Sequence, residues 1–371
     1  MHHIDPQFKK IFDEMEEGHL QLHQRLNGWL ERGPELETRL QDELNTTNKL
    51  FCYHQKTGNL GEISKSFDAH EREQHRQYVH RSAFSEIIQE APYYWRIINK
   101  PEGYAGDAEM MRIIYHSQFE GETPFGMLMH KHATLCDACQ AVRNRRQFLA
   151  DQIHKKKGKI LSVAAGPALE MLDVLSSDQS TDTFHFHAFD HDIKTIRKIT
   201  KSCTDPRLQY LLGNAFHLIK GNFKIAIPRK VMIRFCQPMK DFKGIKRFLS
   251  PVKYTFKHLK TKDYDLVYTA GLYDYIKTFP HDHAKGTIAL TKNLFRLVKP
   301  GGSLIIGNFS PNNPKDLKFV MEYICDWHLI YRTKQEMLDF ARAIPEREIS
   351  HMEVLEEPLG INYFLKIDKQ L

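Results

Sequence analysis

Small residues cluster in the segment 160–170, which reads ILSVAAGPALE. An apolar run leads into a Gly-Pro break and a helical pattern follows, so the segment predicts a buried strand, a tight turn and a helix. Ala164, Ala165 and Gly166 have little or no side chain, and with Pro167 they form a turn whose backbone a ligand can approach. The helix that follows offers free N–H groups and a partial positive charge. The turn is therefore a candidate cradle for the polar part of a ligand.

An acidic residue follows the next predicted strand. In FDHDIKTI (189–196), Asp190 falls at the strand end with His191 beside it. One carboxylate presents two acceptor oxygens in a plane, which suits the two hydroxyls of a ribose. The alternative is that Asp190 and Asp192 only cap the following helix. Because the small-residue turn lies about 25 residues upstream, as in mononucleotide-binding α/β units, we expect Asp190 and His191 to contact a ribose.

Two further strand ends carry candidate residues. In LLGNAF (211–216), Asn214 is placed to bind the edge of an adenine, and Ala215 and Phe216 would add backbone and apolar contacts. The alternative is a plain strand-to-helix turn. The stretch YDLVYTAGLYDYI (264–276) is a buried strand that opens into a second small-residue turn at Ala270 and Gly271.

These strand ends belong to a regular pattern that starts at residue 158. Strand candidates alternate with helices and cover 160–165, 184–189, 207–212, 264–269 and 302–307. The alternation predicts an α/β fold, a doubly wound and mostly parallel sheet of seven strands that ends in an antiparallel C-terminal hairpin. Ligands of such sheets bind beyond the carboxyl ends of the strands, which would bring the candidate residues together.

The first 150 residues differ from the rest of the chain. They have helical spacing of apolar residues throughout, so we expect a helical N-terminal domain (1–150), acting as a lid or substrate domain, before an α/β domain (151–371). The chain shows no run of about 18 apolar residues and no secretory signal. We therefore expect a cytoplasmic protein, with association at a membrane surface left open.

Charge is concentrated in one segment. Residues 220–262 contain 13 Lys or Arg and one acid, a net charge of +12, whereas the whole chain carries +7. Such a basic insertion could lie on an anionic membrane, dock an acidic acyl carrier protein, bind the phosphates of a coenzyme A thioester, or have no partner. Nucleic acid is not expected, because no module that binds it is recognisable. The oligomeric state is open.

The six cysteines show no disulfide framework or metal-binding spacing. Cys136 and Cys139 form a CxxC, but no second Cys or His pair follows at zinc-finger spacing. We therefore predict reduced thiols and no metal site.

Taken together, the motifs resemble those of the class I S-adenosylmethionine-dependent methyltransferases. ILSVAAGPA is similar to their cofactor turn, FDHD to the ribose-binding acid, GNAF to the adenine stretch and LVKPGGSLII to the crossover into the fifth strand. The turn departs from the family pattern, because Ser162, Ala164 and Ala168 stand where an acid and two glycines are common. The resemblance implies a Rossmann-like methyltransferase domain with S-adenosylmethionine as cofactor.

A narrower resemblance covers roughly 95–340. KPEGYAGDAEMMRIIY, FGMLMHKH, AVRNRRQFLA, YTAGLYDYI, IGNFSPNNP and DWHLIYRT resemble segments of the bacterial proteins that make methyl esters of 3-hydroxy fatty acids as quorum-sensing signals. This resemblance implies O-methylation of the carboxylate of a 3-hydroxy fatty acyl substrate. A methyltransferase for another small molecule or a protein side chain, and a non-catalytic cofactor-binding sensor, remain alternatives.

The chemistry of the implied reaction limits what the protein must supply. A carboxylate is ionised at neutral pH and is itself the nucleophile, so positioning matters more than a general base. A cation or a few hydrogen-bond donors would hold the carboxylate. The candidates for these catalytic positions are Tyr104, Arg143, Tyr273 and Asn308.

Overall fold

The computed structural model describes residues 4–46, 48–178, 183–196, 203, 205–228 and 254–371. The chain divides into two compact units. The helical unit contains Met1–Leu149, Asn308–Lys334 and Leu355–Phe364, and the sheet unit contains Ala150–Gly307, Gln335–Val354 and Leu365–Leu371. The first division falls next to the boundary predicted at 150, but two later segments that the sequence assigns to the α/β domain belong to the helical unit.

The helices follow the predicted distribution, with nine in the first 156 residues of the described chain. They are Pro6–Asn27 (α1), Gly33–Thr46 (α2), Asn48–Ile63 (α3), Ala69–His80 (α4), Ala83–Ile87 (α5), Pro92–Asn99 (α6), Ala108–His116 (α7), Pro124–Thr134 (α8), Asp137–Lys156 (α9), Leu169–Ser177 (α10), 193–196 (α11), Ala215–Ile219 (α12), Gly286–Leu297 (α13), Lys315–Phe319 (α14) and Lys334–Leu338 (α15). A π-helical turn, Val320–Ile324, continues α14. Among the described residues, no helix is long and apolar enough to cross a membrane.

Aromatic residues form the centre of the helical unit. Phe8 and Phe12 lie one turn apart on α1, so both face the same side of the helix, and both are fully buried. The ring of Phe8 lies 6.0 Å from those of Phe319 and Tyr323, centroid to centroid. The returning segment 308–334 is thus packed into the same core as the N-terminal helices.

One sheet of nine strands organises the second unit. The strands are Gly158–Val163 (β1), Phe184–Asp190 (β2), Leu208–Leu212 (β3), Lys224–Pro228 (β4), Tyr254–His258 (β5), Tyr264–Thr269 (β6), Val298–Phe309 (β7), Ile349–Glu356 (β8) and Asn362–Lys369 (β9). Their order is β5-β4-β3-β2-β1-β6-β7-β9-β8. The α/β class and the five predicted parallel strands are confirmed, since β1 pairs in parallel with β2 and β6, β2 with β3, and β6 with β7.

The predicted count of seven strands is wrong. Strands β4 and β5 pair with each other in antiparallel fashion and extend the β3 edge of the sheet. Both lie within the basic segment 220–262, whose central residues 229–253 are outside the described part of the chain. Without this added hairpin, the sheet has the seven strands that the sequence predicts.

The C-terminal hairpin is confirmed. Strands β8 and β9 are neighbours in the sheet and are joined by a five-residue turn, which requires them to be antiparallel. Ser310 beyond the end of β7 donates its N–H to Ile361 before β9, and Lys369 at the end of β9 donates to the carbonyl of Val298 at the start of β7. Strand β9 therefore also runs antiparallel to β7.

Candidate functional site

The turn between β1 and α10 has an open, left-handed backbone. Ala164, Gly166 and Ala168 have φ angles of 56°, 51° and 49°. This region is unfavourable for residues with a side chain, at about 1–2 kcal/mol each. A Cβ placed on Gly166 would meet no atom within 4 Å, so free space lies in front of the turn. The predicted cradle therefore has the conformation and the space that a ligand needs.

Asp190 is joined to this turn. Its Oδ2 accepts a hydrogen bond from the Gly166 N–H at 2.8 Å, and its Oδ1 accepts one from the Asp192 N–H at 3.0 Å. The residue is 5% exposed. Oδ2 has a second lone pair, so Asp190 can fix the turn and still accept a hydroxyl. The structure brings Asp190 and Gly166 together as the sequence predicts, and it adds a tie between them that the spacing does not show.

The charge of Asp190 is stabilised by its neighbours. Burial alone would raise the pKa of this carboxyl, but hydrogen bonds from His191 and from the backbone of Asp192 and Gly166 hold the pKa below its usual value. His191 Nδ1 lies 3.3 Å from Asp190 Oδ1, and this contact raises the pKa of His191. Asp190 is thus an anion aimed at the turn, with an imidazole at its side.

The adenine candidates lie at the end of β3. Asn214 is the N-cap of α12, and its Oδ1 accepts the Phe216 N–H at 2.8 Å. The alternative, a strand-to-helix turn, is therefore present, and Asn214 Oδ1 is engaged in it. The ring of Phe216 is 60% exposed, an unusual position for a large apolar side chain, and Ala215 is half-buried.

The carboxyl ends of the central strands lie along one edge of the sheet. Val163 pairs with Phe189, Asp190 with Leu212 and Ser162 with Tyr268, so β1, β2, β3 and β6 end in register. The turns that follow, including Ala270 and Gly271, therefore share this edge. Gly307 on β7 lies so close to the carbonyl of Ala270 that a Cβ would overlap it. A larger residue at position 307 would push this turn away.

Sequence reasoning missed one buried acid near the turn. Glu170, in the first turn of α10, is 7% exposed and accepts a hydrogen bond from the Tyr268 hydroxyl at 2.6 Å. Only its position directly after the small-residue turn could have signalled it. The contact ties α10 to β6 and so stabilises the entry of the helix.

The structure places Tyr273 in the core instead of at the edge. The residue is fully buried, its hydroxyl lies 2.9 Å from Thr291 Oγ1, and its ring packs 5.2 Å from that of Phe340. These contacts hold the side chain in place, and a catalytic position for Tyr273 stays a prediction. Packing against Phe340 and the contact with Thr291 determine where this side chain points.

Asn308 is likewise a structural residue. It is fully buried; its Nδ2 donates to the carbonyls of Phe309 and Ile330, and its Oδ1 accepts from Arg332 at 2.6 Å. The amide thus joins the end of β7 to the segment that leads to α15, and its catalytic role stays a prediction.

Arg143 holds helix ends together. Its guanidinium donates to the carbonyls of Ile114 and Thr134, at 2.9 and 2.8 Å, near the carboxyl ends of α7 and α8. Its remaining contacts go to Gln140 of its own helix. Since carbonyl groups at helix ends lack intrahelical partners, the cation satisfies them. A contact of Arg143 with a substrate carboxylate stays a prediction. Tyr104 is half-buried in the loop between α6 and α7.

Within the described residues, no group of three or more His, Cys, Asp or Glu side chains could hold a metal ion. The four described cysteines, Cys136, Cys139, Cys203 and Cys325, are free thiols.

Comparison with known proteins gives a likeness of fold. No protein-family model matches the sequence, and no curated protein is significantly similar to it. A solved structure described as a "possible exported protein" from Bordetella parapertussis matches with a TM-score of 0.50 at 12% identity, over 86% of this chain and 95% of that chain. This likeness shows a shared fold.

Two solved methyltransferases are more distant. The 1,6-didemethyltoxoflavin-N1-methyltransferase of Burkholderia thailandensis, with bound S-adenosylhomocysteine, matches at a TM-score of 0.35 and 12% identity, over 62% of this chain and 79% of that one. A SAM-dependent methyltransferase from Aquifex aeolicus matches at a TM-score of 0.34 and 11% identity, over 60% of this chain and 88% of that chain.

Proposed function

We propose that the protein is a methyltransferase that uses S-adenosylmethionine. The observation that carries this proposal is the tie between the Asp190 carboxylate and the N–H of Gly166, in a left-handed turn with free space in front of it. A ribose hydroxyl would bind the remaining lone pair of Asp190 Oδ2, with His191 beside it. The turn at Ala164, Ala165 and Pro167 would hold the amino-acid end of the cofactor. Asn214 Nδ2, Ala215 and Phe216 would contact the adenine, and Ala270 and Gly271 would border the methyl group.

We infer further that the substrate is the carboxylate of a 3-hydroxy fatty acyl compound, converted to a methyl ester signal. The sequence motifs of 95–340 support this. When bound, the cofactor supplies the activated methyl group. The protein has to hold the substrate carboxylate in line and exclude water, since a carboxylate needs no base. The candidates to orient it are Tyr104, Arg143, Tyr273 and Asn308.

Other parts of the proposal concern location and partners. We expect the helical unit to act as a lid or substrate domain for the sheet unit. The basic segment would dock an acyl carrier protein, a coenzyme A thioester or an anionic membrane surface, and its residues 229–253 lie outside the described part of the chain.

Calorimetry with S-adenosylhomocysteine tests the cofactor site. Asp190→Asn retains the shape of the side chain but places an NH₂ against either the Gly166 or the Asp192 N–H. The loss of charge-assisted hydrogen bonds, about 1–3 kcal/mol, predicts an affinity some 5- to 150-fold weaker. The matched control is Asp192→Asn, whose side chain caps the Lys194 N–H at 2.8 Å and should change affinity less than threefold. No binding by the parent protein at millimolar ligand would refute the proposal.

A second experiment tests the substrate. The protein is incubated with methyl-labelled cofactor and a 3-hydroxy fatty acid, and an organic-extractable labelled ester is expected. Label in another small molecule or in protein would identify a different methyltransferase. Cofactor binding with no transfer to any of these acceptors would favour a non-catalytic sensor.

A further inference from the structure

An apolar cavity lies inside the helical unit, apart from any residue assigned above. Helices α6, α7, α8, α9 and α14, the π-helical turn and the residues that follow it contribute to its walls. Its lining residues are Tyr93, Tyr94, Ile97, Ile114, His132, Ala133, Cys136, Ala138, Cys139, Val142, Phe309, Asp316, Leu317, Val320, Met321, Cys325 and Trp327. All of them belong to the helical unit.

The cavity is narrow. Its empty space amounts to about 660 Å³ with the mouth included, but only about 50 Å³ has room for the centre of a water molecule. The enclosed room is therefore small and its walls leave little space between them. Such a space suits a chain one carbon atom wide better than a fused ring system.

The walls offer little to a polar ligand. Two lining residues, His132 and Asp316, can carry a charge at neutral pH, and the others are aliphatic, aromatic or sulfur-containing. Burial raises the pKa of the Cys325 thiol and of the Tyr93 hydroxyl, so both stay neutral. Thiols and thioethers such as Met321 are polarisable and pack well against alkyl groups. An unfilled apolar space also lacks dispersion contacts that an apolar ligand would restore.

We propose that this cavity binds the unbranched alkyl chain of a fatty acyl ligand. The inference rests on the proposed function only for the identity of that ligand as the methylation substrate. Recognition is by the chain, because the residues that line the cavity provide apolar contact along its length and few polar groups. The cavity thus selects for chain length, whereas the sheet unit would bind the cofactor.

Direct binding of octanoate, decanoate and dodecanoate to the full chain tests this, with 1-decanol as an uncharged probe. Each methylene buried contributes about 0.8 kcal/mol, so affinity should rise about fourfold per added carbon until the cavity is full. The fluorescence of Trp327 in the wall reports the binding, and decanol should bind within tenfold of decanoate. Affinities that do not depend on chain length, or a requirement for the carboxylate, would overturn the inference.

A plugged variant locates the site. Ala138 is half-buried in the first turn of α9 and lines the cavity, so Ala138→Leu should weaken dodecanoate binding at least tenfold. The matched control is Ala108→Leu, a half-buried alanine in the first turn of α7 that does not line the cavity. Both variants are first checked for an unchanged melting temperature. If Ala138→Leu does not fold, Val142→Phe, one turn along α9 on the same wall, replaces it.

Titration of the same samples with S-adenosylhomocysteine separates the two proposals. If the parent protein binds S-adenosylhomocysteine but no alkyl ligand, only the cavity assignment is overturned. Alkyl binding without cofactor-product binding overturns only the methyltransferase. Equal dodecanoate binding by Ala138→Leu and its control would place the alkyl chain elsewhere on the protein and refute the inference.

Discussion

At the scale of single residues, chemical type decides less than the partners that the fold supplies. Asp190 is the end of a strand and a potential helix cap in the sequence, and in the structure its oxygens accept from Gly166 and Asp192. Asn308 and Arg143 have the right chemistry for a carboxylate, but their donors go to backbone carbonyls. The sequence predicts which residues follow a strand, whereas the direction of each side chain depends on contacts with distant segments.

The Asn308–Arg332 contact makes a testable case. Arg332 is 3% exposed and its Nη1 donates to Asn308 Oδ1. Arg332→Met removes the donor and leaves a buried amide oxygen without it, so the free energy of unfolding should fall by about 1–3 kcal/mol. Urea denaturation measures this. Arg342→Met, which removes a surface pair with Asp339, should cost less than about 1 kcal/mol. Equal effects would contradict the structural role of Arg332.

At the scale of elements, helix starts provide a second comparison. Asp107 caps α7 and also forms an ion pair with Arg96, and its side chain is only 1% exposed. Asp68 caps α4 at the surface of the protein. Asp107→Ala leaves the Arg96 charge without its partner and should cost about 3–5 kcal/mol. Asp68→Ala removes only a cap, at about 1 kcal/mol. Thermal or urea unfolding measures both changes.

Asp107→Asn separates the cap from the ion pair, because an amide oxygen still accepts the Met110 N–H. The loss of unfolding free energy caused by Asp107→Asn should lie between the losses caused by the two alanine variants. An asparagine variant as stable as the parent would show that the Arg96 pair contributes little.

The elements also show how far a sequence can predict the fold. Strands such as β1 and β6 are buried runs of small and branched apolar residues, and their periodicity is enough to identify them. Strands β4 and β5 have five residues each, and β5 is largely exposed. Lys224 lies over the ring of Phe256 on the partner strand. Each strand is stabilised mainly by the other. Neither therefore shows, within the basic segment 220–262, a sequence pattern that predicts a strand.

At the scale of the whole molecule, the division of the chain is the feature that the sequence least predicts. The segment Asn308–Lys334 follows β7 directly, yet it belongs to the helical unit. Its aromatic residues Phe319 and Tyr323 pack against Phe8, more than 300 positions earlier. The spacing of apolar residues predicts that these side chains are buried. It does not predict in which core they are buried, because that depends on contacts with distant parts of the chain.

Buried histidines give both units a common dependence on pH. Burial lowers the pKa of His19, His130 and His187 to about 4. In the unfolded chain these groups bind protons below about pH 6.5, while in the folded protein they stay neutral down to about 4. The unfolded state thus binds more protons in this window, and stability must fall as pH is lowered from 6.5 towards 4.

Urea unfolding at pH 7 and pH 5 tests this expectation with one histidine removed. His130→Asn keeps an acceptor for the Tyr93 N–H, which His130 Nδ1 accepts at 3.2 Å, but it cannot titrate. The loss of stability between pH 7 and 5 should therefore be smaller in this variant than in the parent. His281→Asn, at an exposed position outside the helices and strands, should leave the difference unchanged. If His130→Asn and the parent lose the same stability, His130 is not held neutral by burial.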